Sequence, residues 1–168
     1  MKGIPVTESL GLELAQLAWV VPDIRATEDF FKKVMGVKDF YRIDNFHIKE
    51  HESTYYGRPN GFIDHVSMVW TAGIFIELIQ PISGQTIFQD YLDKNPAGGL
   101  QHIAYRVPIA EFDKVIHAIS GEGYPIISTF DTNIAKIYFF DTYKELGIAT
   151  EIMGITDEGY AAVEQMKK

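Results

Sequence analysis

Four side chains in this chain of 168 residues are of types that hold metal ions, and they fall at matching places in two similar stretches. The stretch "AQLAWVVP" at 15–22 and the stretch "GLQHIAYRVP" at 99–108 share one shape when aligned on their closing prolines. Leu17 then matches Ile103, Ala18 matches Ala104, Trp19 matches Tyr105, Val21 matches Val107, and Gln16 falls on His102. A second pair, "GIFIELI" from Gly73 and "GIATEIM" from Gly147, carries a glutamate four residues after each glycine, Glu77 and Glu151. One imidazole nitrogen, one amide oxygen and two carboxylates form a metal-ligating set. Two carboxylates neutralise a divalent ion, and an octahedral N/O arrangement leaves two positions for water or substrate. The expected cofactor is one divalent metal ion, with Zn, Mn, Co, Ni and Fe all compatible with such donors.

Taken singly, each of the four has an ordinary explanation. A strand glutamate is more often an edge residue or a salt-bridge partner, and a histidine at a strand start is more often a satisfied structural group. The duplication is what separates these residues from that background, because two segments independently repeat the same position. The spacing from first-strand residue to glutamate is 61 residues in one half and 49 in the other. A carboxylate inside an apolar strand is costly to bury unless paired or bound to a cation.

The elements that must position these groups are legible from periodicity. After the first strand, "PDIRATEDFFKKVMG" predicts a helix capped by Asp23 and ended by Gly36, with Ala26, Phe30, Phe31, Val34 and Met35 in apolar positions. After the second, "IAEFDKVIHAISGEG" places Phe112, Val115, Ile116 and Ile119 on one helical face. Each half then turns strand-like: "DFYRIDNFHIKEH", "FIDHVSMVW" and "GIFIELIQP" in the first, "YPIISTFD", "AKIYFFD" and "GIATEIMG" in the second. The expected fold is α+β, with two similar modules that each run strand, helix, then two or three strands. Module one covers about 12–80, a linker 81–98 holds the helix-like "TIFQDYLDK", module two covers about 99–155, and 156–168 reads as a terminal helix, all within one domain. Strand alternation puts Gln16 and His102 on the concave face and Leu17, Trp19 and Val21 toward the helices.

Composition narrows the function. A net charge of -8 argues against a nucleic-acid surface. The absence of cysteine removes disulfides, thiol catalysis and iron–sulfur ligation. No apolar run approaches a membrane span and the start has no signal-peptide pattern, so a cytoplasmic protein with no membrane partner is expected.

At these residues the sequence resembles the vicinal oxygen chelate superfamily, the group of glyoxalase I, methylmalonyl-CoA epimerase, extradiol dioxygenases and bleomycin-resistance proteins. The resemblance covers about 12–155 and is nearest to methylmalonyl-CoA epimerase-like proteins in "FIELIQPISGQTIFQDYLDKNPAGGLQHIAYRV", including the Gly98–Gly99 pair before His102. It implies two paired βαβββ modules forming a U-shaped mixed sheet around a central metal site, the ligand set Gln16, Glu77, His102 and Glu151, and commonly a homodimer. Epimerases usually have histidine where Gln16 stands, and the set here is instead that of eukaryotic-type glyoxalase I. The glutathione contacts of that enzyme are missing, with Val20 and Pro81 in place of its arginine and asparagine. Extradiol chemistry needs two histidines and is disfavoured by Gln16.

The resemblance implies a small-molecule substrate carrying an oxygen pair. A Lewis acid stabilises the enolate formed when an α-proton leaves, and a carboxylate removes and returns that proton. Glu151 is the first choice as ligand and base, with Glu77 its symmetry mate. The expected function is therefore a metal-dependent isomerase, epimerase or lyase acting on a small carbonyl acid or thioester. The alternative is a non-catalytic binding protein of resistance type, and beyond it a purely structural domain. A binder has no reason to keep both internal carboxylates. Arg106 shares strand parity with His102, which leaves two readings: a cavity residue holding a substrate carboxylate or phosphate, or a solvated strand end. His117 lies off its helix's apolar stripe. The roles of His47, His51, His65, Asp44 and Glu50 stay open, and "STYYGRPNG" is a loop that could cover the pocket.

Overall fold

Helix starts and turns follow local chemistry. In the computed structural model, which describes residues 10–167, the Asp23 carboxylate accepts from the Ala26 amide and caps α1 (Ile24–Lys33). Such a cap is worth about 1 kcal/mol. Thr86 caps α2 (Ile87–Lys94), and Thr156 caps the terminal helix α5 (Asp157–Met166). The second-module helix α3 (Ile109–Gly121) and a single turn, α4 (Tyr143–Leu146), complete the α-helices among the described residues.

The strands are β1 (Glu13–Val20), β2 (Tyr41–Ile48), β3 (Ser53–Tyr55), β4 (Arg58–Pro59), β5 (Phe62–Thr71), β6 (Ile74–Ser83), β7 (Gly99–Pro108), β8 (Ile126–Asp131), β9 (Ala135–Phe140) and β10 (Ala149–Ile155). They form one sheet in the order β2-β5-β6-β1-β7-β10-β9-β8-β3-β4. Within each half, the first strand runs parallel to the last: β1 beside β6 and β7 beside β10. The halves join through the antiparallel pair β1 and β7. The tight β5–β6 hairpin turns through Ala72 and Gly73, both at positive φ as the twist of such a hairpin demands.

Helices cover the outside. Trp19 on β1 meets Phe31 of α1 edge-on, and Ile24 packs with Val21 and Leu78. Phe112, Val115 and Ile116 of α3 pack on Phe140 and Ile152. The close approach of α3 to β10 depends on Gly154, where a Cβ would sit 2.6 Å from the Phe112 ring.

Three local expectations need correction. Phe30, Val34 and Met35 are 51%, 66% and 60% exposed, because α1 ends at Lys33 and its inward positions are Ile24 and Glu28. The buried Glu28 carboxylate is satisfied by Arg42 and Ser67 rather than by an apolar neighbour. The stretch 53–61 does not cover the pocket. It folds as the hairpin β3–β4, and β3 pairs with β8 of the other module. β6 also runs on to Ser83, past the expected start of the linker.

Candidate metal centre

The pairing between strands places the four predicted ligands with two-fold regularity. Gln16 pairs with Phe75, two residues before Glu77, and His102 pairs with Ala149, two residues before Glu151. Ala18 stands beside Glu77 and Ala104 beside Glu151, both alanines fully buried. Their small side chains leave room on the inner face for the carboxylates to lean toward the junction of β1 and β7.

All four predicted ligands line one cavity of about 210 Å³ inside the curled sheet. His102 Nε2 lies 2.8 Å from Glu151 Oε2 and 3.4 Å from Glu77 Oε2. Gln16 Nε2 donates to Glu77 Oε2 at 2.8 Å and lies 3.5 Å from Glu151 Oε2. Ligand atoms of Glu77, His102 and Glu151 all lie within 4.8 Å of one another.

The electrostatics suit the binding of a cation. Burial pushes the Glu77 carboxyl up from its usual range, the charge of Glu151 pushes the same way, and His102 opposes both. Burial by itself would lower the His102 pKa, but the two carboxylates outweigh it and hold the imidazole up at about 9. A proton on His102 thus supplies the positive charge that the site demands. His102 Nε2 is nevertheless fully buried without a well-formed hydrogen bond, despite its short distance to Glu151. A buried nitrogen facing two carboxylates off the hydrogen-bond direction suits a shared metal ion better than a direct pair. Gln16 would add its Oε1, the other end of the same amide.

Arg106 is 5% exposed and lines the cavity, so the reading as a solvated strand end is excluded. Its Nε donates to Glu13 Oε2 at 2.9 Å, and its Nη2 also binds Glu13. That leaves Nη1 as the edge not committed to Glu13. His47 and His51 are exposed, and His65 accepts from the Asn45 amide near Asp44. Glu50 is exposed and His117 contacts the Asp113 carbonyl. None of these residues lines the cavity.

The residue that sequence reasoning missed is Asp64 on β5. It is 1% exposed, its Oδ1 has no hydrogen-bond partner, and it lines the same cavity. Burial first, and the charge of Glu77 second, push its pKa up to about 7. The signal was present: Asp64 shares parity with Phe62, Val66 and Met68 in an apolar strand, the argument that singled out Glu77. Val163 and Met166 of α5 close part of the cavity, the covering role expected of the stretch 53–61.

Paired β-α-β modules with carboxylates and a histidine converging at their junction define a duplicated-sheet protein with a candidate metal centre. The chain belongs to the glyoxalase/bleomycin resistance protein/dioxygenase superfamily, whose family model matches residues 15–139. It is 28% identical over 122 residues to an ethylmalonyl-CoA/methylmalonyl-CoA epimerase of Cereibacter sphaeroides, covering 68% of this chain and 78% of that protein. The fold is similar to methylmalonyl-CoA epimerase from Mycobacterium tuberculosis, with a TM-score of 0.63 at 16% identity, covering 88% of this chain and 91% of that one. It is also similar to a variant of the Streptomyces coelicolor enzyme in complex with 2-nitronate-propionyl-CoA, with a TM-score of 0.61 at 18% identity, covering 85% of this chain and 94% of that one.

Proposed function

We propose that the protein is a divalent-metal-dependent epimerase or isomerase acting through an enolate on a small carbonyl acid or thioester. The observation that carries this reading is the convergence of Glu77, His102 and Glu151 in a cavity that also holds the unpaired acid Asp64. The similarity to malonyl-thioester epimerases makes a 2-alkylmalonyl thioester the first substrate to test.

Gln16, Glu77, His102 and Glu151 would hold the ion, which supplies Lewis-acid stabilisation to the oxygen pair of an enolate. The chain's own residues move the proton. Asp64 stands outside the ligand set and titrates near neutral pH, where a general base is most effective. It takes the α-proton, and Glu151, with Glu77 as its symmetry mate, would return one at the other side of the junction after swinging off the ion and taking up a proton from solvent. Arg106 holds a substrate carboxylate or carbonyl through the guanidinium edge that Glu13 leaves free. The apolar remainder of the lining, including Phe46, Phe130 and Phe139, excludes water from the carbanion.

The test is metal loading followed by incubation with methylmalonyl-CoA in heavy water, with deuterium at the α-carbon read by mass spectrometry. The expected result is exchange that depends on the metal and falls sharply in Asp64→Asn. A folded protein that takes up no ion and exchanges no proton overturns the enzyme reading and leaves the small-molecule binder.

A further inference from the structure

Where the two modules meet, β7 carries one residue more than β1 opposes. Ala18 pairs with His102 and Trp19 with Leu100, so Gln101 is the extra residue of a β-bulge. A regular strand would send the side chains of Gln101 and His102 to opposite faces. A bulge re-aims one of them, and here the two meet: Gln101 Oε1 lies 2.6 Å from His102 Nδ1. The other end of the amide, Nε2, donates to the Tyr143 hydroxyl at 2.7 Å. Gln101 and His102 are both completely buried, so the amide has no water to turn to.

The chemistry of this chain of contacts is directional. An amide oxygen only accepts, so the Nδ1 it faces carries a proton. In the neutral imidazole the lone pair is then on Nε2, the atom that faces Glu77 and Glu151. With the amide turned over, Tyr143 would donate to the Gln101 oxygen and Gln101 would donate to Nδ1. The imidazole proton would then sit on Nε2 and block ligation. β1 has a bulge at the symmetry-related place, where Leu14 pairs with Tyr105 and Gln16 with Ala104. Its extra residue is Ala15, which offers no polar group. Gln16 needs none, because an amide has no tautomer to control.

We propose that Gln101, anchored by Tyr143, is a positioning residue that keeps the His102 proton on Nδ1 and aims the Nε2 lone pair at the junction of the two glutamates. The consequence for metal affinity rests on the metal reading above; the placement of the proton does not.

The experiment uses the full chain labelled with ¹⁵N-histidine, with His102→Ala to assign the signal, without metal and with one equivalent of Zn²⁺. The expected wild-type spectrum shows a slowly exchanging proton on His102 Nδ1 in both samples, and a shift of Nε2 when zinc is added. Gln101→Leu should lose the protected proton and bind zinc about 10–100-fold more weakly. Gln101→Glu keeps the acceptor and should restore both. Tyr143→Phe should weaken zinc binding several-fold, and it carries the test if Gln101→Leu does not fold. Wild-type His102 protonated on Nε2 alone overturns the proposal. So does an unchanged imidazole spectrum with unchanged zinc affinity in Gln101→Leu or in Tyr143→Phe. A wild-type protein that binds no zinc sinks the metal reading alone, because the Nδ1 proton is also read without metal.

Discussion

The two modules repeat one backbone and divide the chemistry between them. By register, Gln16 stands where His102 stands, Glu77 where Glu151 stands, and each glutamate has a buried alanine beside it. The symmetry fails at two cavity positions. Asp64 pairs with Pro81, four residues after Glu77, while Ala135 pairs with Ile155, four residues after Glu151. Module one therefore brings a buried acid where module two brings a methyl group. Module two brings the only cavity-lining histidine, where module one brings an amide. Duplicated strands fix where side chains can converge; substitution at individual positions decides which groups each half presents to the cavity.

The comparison breaks first if the ligands are not what the symmetry makes them. His102→Ala and Glu151→Ala should each lower divalent-metal affinity by at least about 100-fold. Gln16→Ala should cost roughly ten-fold, since a neutral amide oxygen is the weakest donor of the set. Metal content by elemental mass spectrometry, followed by chelator competition, gives the ranking. Equal effects of Gln16→Ala and His102→Ala would mean that the halves contribute alike.

The division of labour is sharpened at Asp64. Asp64→Asn should lower α-proton exchange by about 10²–10³-fold while metal content stays at the wild-type level. Ala135→Ser, at the symmetry-related position, should leave exchange within about two-fold. Loss of metal in Asp64→Asn would move that residue into the ligand set.

Asp64 also sets a pH dependence for the metal-free protein. Its carboxyl titrates near 3.8 when unperturbed and at about 7 in the fold. The fold favours the protonated form, so the stability it confers is intact below the lower value and is lost as pH rises to the upper one. Removing the titration with Asp64→Asn should leave stability unchanged near pH 3.5 and raise it by roughly 2–4 kcal/mol at pH 8. Urea midpoints across that range measure the difference. A wild-type stability that rises between pH 4 and pH 7 relative to the variant would reverse the sign.

The smallest effect tests the shared backbone. Ala18→Val and Ala104→Val each crowd the residue beside a glutamate, and each should cost about 1–3 kcal/mol. Similar losses in the two variants, read from thermal or urea unfolding, support equivalent packing around Glu77 and Glu151. A large difference would show that the two halves are equivalent in topology alone.

Much of this architecture is written locally. The strand–helix pattern follows from apolar periodicity, the start of α1 from Asp23, and the end of module two's helix from its glycines, because these depend on neighbours a few residues away. The pairing of Gln16 with His102 and of Glu77 with Glu151 was readable because duplication turns a three-dimensional relation into a one-dimensional one. Asp64 has no repeat partner to mark it, since its counterpart is Ala135. Phe31 of the expected helix face packs on Trp19, but Phe30 is exposed and Glu28 is buried, and the partner that makes a buried Glu28 tolerable, Arg42, comes from a separate strand.

The sequence by itself determined the two modules, their elements and the four residues that repeat between them, since those depend on short-range pattern and internal comparison. The tertiary structure decided which side chains share the cavity. It raised the Asp64 pKa, committed Arg106 to Glu13, closed the pocket with α5, and bent Gln101 onto His102 through a bulge. The physical reason is that burial, charge and register come from strands far apart in the chain, and become defined only when the two halves meet along β1 and β7.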